Sequence, residues 1–325
     1  VCDPKNLSRR ELRHITRRFV AELGDAIGPH TDIPAPDVYT NAQTMAWIYD
    51  TYDRMHPGGN NLAVVTGKPL DIGGSLGRDE ATARGSWYAT EQMLRRGAVP
   101  GIHTLGGARV AVQGYGNAGS IAARLFHDAG AVIVAVSDSR GGIANDDGLD
   151  PRAVLEHKEQ TGSVVGFPGT TEISNDDVLA YDCDILIPAA LECQITTANA
   201  GDVRARLIVE DANGPLTAVA DEVLAQKGVV VLPDILANAG GVVVSYFEWV
   251  QNLENQQWSL EKVQTMLNDK MCRAVDQTVD RFDELQDLYN RGLNKGNPAP
   301  TLRDAALVSA IKRIATVVLQ RDIWP

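Results

Sequence analysis

The stretch VAVQGYGNAGS, Val110 to Ser120, governs how the rest of the chain is read. Its first residues are apolar and β-branched, as in a buried strand. Gly114, Gly116 and Gly119 then fall in a G-x-G-x-x-G spacing at the mouth of the helical run AGSIAARLFHDAG. Each glycine has its own reason. The first allows a tight turn, the second lets backbone approach a pyrophosphate, and the third lets helix pack closely on strand. The helix N-terminus adds N–H donors and a positive dipole. A second strand, AVIVAVSD, ends in Asp138, about 20 residues past the motif, where a carboxylate can accept from the adenosine ribose hydroxyls. The run Asp138-Ser139-Arg140-Gly141-Gly142 also has the composition of a tight turn, which is the local reading of Asp138.

Outward from this loop, short apolar runs alternate with helical ones: ARVAVQG, CDILIPAA, ARLIVEDA, ADEVLAQKG and VVVLPDIL. Such alternation predicts an α/β fold with a doubly wound, Rossmann-like dinucleotide domain, its parallel sheet buried on both faces. Before it the pattern is mixed helix and loop, expected to be part of an α/β substrate or oligomerisation domain over 1–74. The dinucleotide domain is expected over 75–245. From 246 to 325 the pattern is helical, expected to pack back across both domains.

Composition narrows the function. Apolar residues make up 44% of 325 and charged residues 22%, ordinary for a globular enzyme. A net charge of −12 argues against nucleic acid as a partner, because phosphate-tracking surfaces are basic. No apolar run reaches membrane-spanning length and no signal segment opens the sequence, which points to the cytoplasm. Cys2, Cys183, Cys193 and Cys272 form neither a CxxC pair nor a metal spacing, so they read as reduced thiols, and no metal site is indicated. His103 and His127 likewise lack ligand partners at useful spacing. The opening VCDPKNLSRREL has no initiator methionine and leads at once into a Ser8-capped helix, so the chain is expected to be cut at its front.

A second stretch raises its own question. In DIPAPDVYTN, Pro34 and Pro36 stiffen the approach to Asp37, which either caps the helix starting near Asn41, as Thr40 also could, or is held for chemistry.

Taken in order, DIPAPDVYTN, VTGKPLDIGGSLGRDEATARG, VAVQGYGNAGS, AVSDSRGGI, ILIPAALE, VEDANGP and LPDILANAGGVVVSYFEWVQN resemble glutamate dehydrogenase of the hexameric bacterial and archaeal type, in the Glu/Leu/Phe/Val dehydrogenase family. The resemblance runs through the whole chain. It implies reversible oxidative deamination of L-glutamate to 2-oxoglutarate and ammonia with NAD, NADP being possible, by a homohexamer. It implies that Asp37 is the proton shuttle. It implies that Arg78 and Thr82 lie beside the nicotinamide, that Gly114, Gly116, Asn117, Gly119, Asp138, Asn213 and Asn238 hold the cofactor, and that Val242 and Ser245 meet the substrate. Plainer roles stand beside these: a salt-bridged helix start for Arg78, a core hydroxyl for Ser245, a turn for Asn213.

The family's substrate lysines lie in a Gly-rich segment before the position matching Val1, and the chain contains none of them; Lys5 and Lys68 belong to other motifs. This is expected of a fragment or processed product, or of a non-catalytic dinucleotide-binding subunit. A branched-chain or aromatic amino-acid dehydrogenase shares the fold and is the remaining alternative.

Overall fold

The computed structural model describes residues 3–293 and 298–322; Cys2, read above as a reduced thiol, lies outside them. Among the described residues the helices are α1 (Arg9–Leu23), α2 (Ala42–Met55), α3 (Ala81–Arg95), α4 (Asn117–Asp128), α5 (Pro151–Thr161), α6 (Asn175–Leu179), α7 (Ala218–Gln226), α8 (Asp234–Ala237), α9 (Gly240–Leu253), α10 (Leu260–Asn290) and α11 (Leu302–Gln320). The strands are β1 (Arg109–Gln113), β2 (Val132–Asp138), β3 (Gly141–Ala144), β4 (Thr171–Ile173), β5 (Ile185–Pro188), β6 (Leu207–Val209) and β7 (Val230–Leu232). They form two compact units, one of residues 1–81 and 241–267, the other of 82–240 and 268–325.

These boundaries differ from the expected 1–74, 75–245 and 246–325, and hydrogen bonds within each unit explain why. Ser75 N donates to Glu248 and Arg78 Nε to Ser245, which keeps 75–81 with the first unit. In the second unit, Gln92 Nε2 donates to Asp276 and Arg96 pairs with Asp276 and Asp280, which holds most of α10 there.

The second unit is built on a seven-stranded sheet in the order β4-β3-β2-β1-β5-β6-β7. The strands β2, β1, β5, β6 and β7 run parallel, and β5 and the Val110–Val112 run of β1 are apolar and buried because helices cover such sheets on both faces. The departure from an all-parallel sheet is β3, antiparallel to both β2 and β4. Its cause is local. Asp138 and Gly141 are paired across a two-residue turn, and a chain that reverses without a crossover can only pair antiparallel.

Two glycines of the phosphate loop are fixed by backbone geometry. Gly114 has φ +94°, a region that suits glycine. At Gly119 an added Cβ would stand 1.9 Å from Gly114 O, so only a glycine lets α4 begin so close to β1. Gly116 is different: its φ is −86° and a Cβ there would meet nothing within 4 Å.

The first unit packs α1 against α2 around Val20, Ile27, Met45, Ile48, Tyr52, Val64 and Val65. Ser8 caps α1 in a capping box with Glu11, as the sequence predicts. The cap of α2 is Asn41, in a box with Thr44, so neither Asp37 nor Thr40 serves as the helix cap.

The two glycines should therefore respond differently to alanine. Gly119→Ala is expected to cost about 1–3 kcal/mol, because the clash is with backbone that cannot rotate away. Gly116→Ala is expected to leave the melting temperature within a degree or so of the unsubstituted protein's, since the side chain enters open space. Thermal unfolding of both variants checks the contrast, and equal losses would contradict it.

Candidate active site

In the second unit, the N-cap of α4 is Gly116, with no side chain bonded over it. Gly114 N and Tyr115 N both donate to Ser137 O, at 3.0 and 2.7 Å, which locks the turn between β1 and β2. Gly116 and Asn117 are exposed. A glycine with an ordinary φ and no neighbour to avoid has no reason inside the protein. An uncapped helix N-terminus beside it suits the close approach of an anionic group, and a pyrophosphate fits these residues.

Asp138 is buried and already held. Its carboxylate accepts from Arg140 N at 2.9 Å, Ser163 Oγ at 3.1 Å and Val164 N at 2.8 Å, with Lys158 Nζ 3.9 Å away. A carboxylate has about four acceptor positions, so about one is left for a further donor. Arg140, two residues on, is exposed.

Asn213 and Asn238 are brought together: Asn238 Nδ2 donates to Asn213 Oδ1 at 2.8 Å and to Ala212 O at 3.3 Å. The turn in VEDANGP is present, with Gly214 at φ +55°, so Asn213 is both a turn residue and one of a pair. Thr82 lies in the first turn of α3, where its carbonyl accepts from Ser86 Oγ at 3.3 Å. Ser86 Oγ is also 3.2 Å from Ala237 O and is hydrogen-bonded to Asp211 Oδ1.

In the first unit, Asp37 opens a turn in which Thr40 N and Thr40 Oγ1 donate to Asp37 O, and Asp37 N donates to Thr40 Oγ1. These are all backbone bonds of Asp37. Its carboxylate is exposed and has no hydrogen-bonding partner among the described residues. The approach is stiff, as the prolines predict: Thr66 N donates to Pro34 O, and a Cβ on Gly67 would lie 2.4 Å from Pro36 Cγ.

Arg78 and Ser245 meet, with Nε donating to Oγ at 2.9 Å. The guanidinium is largely buried, and burial lowers its pKa while Glu248 and Asp79 oppose the shift. Val242, one turn earlier on α9, is 68% exposed.

Sequence reading missed the buried groups behind these residues. Lys68 and Glu248 form an ion pair with both side chains fully buried, Nζ to Oε1 at 2.6 Å. Burial lowers the lysine's pKa and the glutamate partly restores it. Asp211 is the other omission, buried at 3% exposure with one carboxylate oxygen unpartnered among the described residues. Its only advance signal was an acidic pair directly after an apolar strand.

Comparison with known proteins gives the family. The family described as Glutamate/Leucine/Phenylalanine/Valine dehydrogenase matches residues 73–321, and its dimerisation domain matches 1–54. The chain is 46% identical to a glutamate dehydrogenase of Thermotoga maritima over 324 residues, which is 99% of this chain and 74% of that protein. Among solved structures it resembles a hetero-hexameric glutamate dehydrogenase of Thermus thermophilus in a Leu-bound form. That likeness has a TM-score of 0.88 at 37% identity, covering 99% of this chain and 72% of the other. A glutamate dehydrogenase of Peptoniphilus asaccharolyticus gives 0.78 at 34%, covering 99% and 73%.

The buried carboxyl of Asp211 gives a pH prediction. Burial pushes its pKa up to about 6, against the lowering effect of Ser86. A carboxyl whose pKa is higher folded than unfolded favours the fold while protonated, and that advantage is lost as pH rises through the folded pKa. Asp211→Asn keeps the shape and cannot ionise. Its stability relative to the unsubstituted protein should therefore rise between pH 4 and pH 8, by up to about 3 kcal/mol at ~1.4 kcal/mol per pKa unit. Denaturant titrations at the two pH values measure it, and a gap independent of pH would rule out titration of Asp211 in this range.

Proposed function

This chain belongs to the Glu/Leu/Phe/Val dehydrogenase family, and we propose that it catalyses the reversible oxidative deamination of L-glutamate to 2-oxoglutarate and ammonia with a nicotinamide dinucleotide. The observation that carries the substrate assignment is the Arg78–Ser245 pair. Ser245 accepts from a buried guanidinium, so its own proton is left to donate. A hydroxyl beside a cation is suited to a carboxylate and has no counterpart in the side chain of leucine or phenylalanine.

The nicotinamide ring, when bound, supplies the two-electron acceptor for the hydride leaving the substrate α-carbon. Gly114, Gly116, Asn117 and Gly119 would hold the pyrophosphate, Asp138 the adenosine ribose, and Arg78, Thr82, Asn213 and Asn238 the nicotinamide end, where Thr82 can orient the carboxamide. Asp37 then has the proton work. Loss of hydride leaves an imine, water adds to it, and ammonia departs, with protons passing between nitrogen, water and the exposed Asp37 carboxylate. Val242 and Ser245 on α9 would bound the substrate side chain.

We assign NAD ahead of NADP. The carboxylate of Asp138 repels a 2′-phosphate and has capacity left for a hydroxyl donor, whereas exposed Arg140 is the residue that would favour the phosphate. The dimerisation-domain match supports an oligomer, here read as a homohexamer, and the Thermus relative is described as a hexamer of unlike chains. The unpaired thiols of Cys183, Cys193 and Cys272 fit a reducing cytoplasm.

Initial rates of NADH and NADPH formation from glutamate, leucine and phenylalanine test the assignment, with glutamate expected to lead. Ser245→Val should lower kcat/KM for glutamate by a factor on the order of 10–100, from roughly 1.5–3 kcal/mol for a hydrogen bond to a charged group, and leave leucine nearly unaffected. Equal loss for both would make Ser245 structural.

Asp37→Asn keeps the turn and removes the base. Turnover should fall by a factor on the order of 10² or more with NADH affinity unchanged. Near-normal turnover in this variant would take Asp37 out of the chemistry.

A further inference from the structure

Helix α11 meets the rest of its unit at one point of concentrated charge. Arg303, in its first turn, spreads one guanidinium over three carboxylates: Nε to Asp221 Oδ2 at 2.8 Å, Nη1 to Asp234 Oδ1 at 3.0 Å, and Nη2 to Glu210 Oε1 at 2.8 Å. The three belong to different pieces of chain. Glu210 follows β6, Asp221 lies in α7, and Asp234 opens α8. Glu210 is fully buried, so the arginine is the partner that makes its position tenable.

The bonds continue inward from the carboxylates. The second oxygen of Glu210 accepts from Asp234 N at 2.6 Å, and Asp234 Oδ2 accepts from Gly214 N at 2.8 Å. Gly214 adjoins Asn213, and Asn238 follows the last residue of α8. The segments carrying the two asparagines are thus hydrogen-bonded to each other, and the carboxylates that take part in those bonds share a single cation. Neither segment could hold its shape alone, since one is a turn and the other a four-residue helix.

The strand order says which half of the cofactor is concerned. The phosphate loop and Asp138 end β1 and β2, on the adenosine side of the sheet. Asn213 and Asn238 follow β6 and β7, on the other side of β1.

We propose that Arg303 is a positioning residue for the nicotinamide half of the cofactor: through Glu210 and Asp234 it fixes the Asn213–Asn238 pair, so that the C-terminal helix controls affinity for that half alone. This rests on the assignment of the two asparagines to the cofactor made above.

The test uses two ligands, NADH and ADP-ribose, the second lacking the nicotinamide, and reads their Kd by calorimetry on the whole protein. Arg303→Lys keeps the charge but offers a point donor where a planar fork spans three acceptors. NADH is expected to weaken about tenfold, and ADP-ribose by less than about twofold. Equal weakening of both ligands, or of neither, in a folded variant overturns the proposal.

Asn238→Ala, measured alongside, separates the two layers. If it leaves NADH binding intact, the asparagine assignment fails. If it weakens NADH while Arg303→Lys does not, only the role of Arg303 fails. The double variant should bind NADH no worse than the weaker single one, because both act on one contact. If Arg303→Lys does not fold, Glu210→Gln replaces it, since an amide must present a donor to Asp234 N or to Arg303. It is expected to give the same ligand-selective loss, about threefold, and unchanged NADH binding in that variant would equally overturn the proposal.

Discussion

Glu248 is the buried charge on which the first unit depends. Its carboxylate accepts from Lys68 Nζ and from the backbone of Gly67, Lys68 and Ser75. A buried ion pair contributes little net stability unless its remaining hydrogen-bonding positions are filled, and here they are filled by backbone. The result is placement. Gly67 is the residue against which Pro36 lies, and Pro36 is the stiff approach to Asp37. Ser75 leads to Arg78, and Ser245, Arg78's partner, sits one turn before Glu248 on α9. The proposed base and the proposed carboxylate site are therefore both referred to a single side chain that touches neither.

The second unit obtains its precision differently, by leaving atoms out. The approach of Gly119 to Gly114 O brings α4 onto β1, and the missing side chain at Gly116 leaves the helix N-terminus open. Absence of Cβ atoms shapes the proposed pyrophosphate end, and the proposed role of Arg303 shapes the opposite end through charge. These are complementary solutions. A helix N-terminus supplies fixed N–H groups without any side-chain order, whereas a turn and a short helix have no dipole or periodic bonding of their own and need an external clamp.

What was legible in the sequence follows the same division. The phosphate loop, its strand and Asp138 could be read because their reasons are local: spacing, φ and an apolar run. The proline approach to Asp37 was equally local. The antiparallel β3 was not anticipated, although the two-residue reversal between Asp138 and Gly141 that enforces it lies within a segment already read as a turn. Long-range pairs left no trace at all. Nothing near Lys68 foretells Glu248, and Arg303 in TLRDAAL looks like any basic residue in the first turn of a helix. The unit boundaries shifted for the same reason, since residues 75–81 are assigned by bonds to α9 rather than by their own composition.

Four of the buried carboxylates among the described residues thus receive four treatments. Glu248 has a lysine and backbone, Asp138 has backbone and a hydroxyl, Glu210 shares an arginine, and Asp211 has one serine. The last two are the poorest in donors, and burial raises them to about 7 and about 6. By linkage both favour the fold more when protonated, so their contribution declines as pH rises from the unfolded carboxyl range toward neutrality. They are consecutive residues after β6, separated from Asn213 by Ala212 alone. The segment that leads to the proposed cofactor asparagine is therefore one where an increase in pH places new charge in a buried setting, compensated by Arg303 at Glu210 and by no cation pair among the described residues at Asp211.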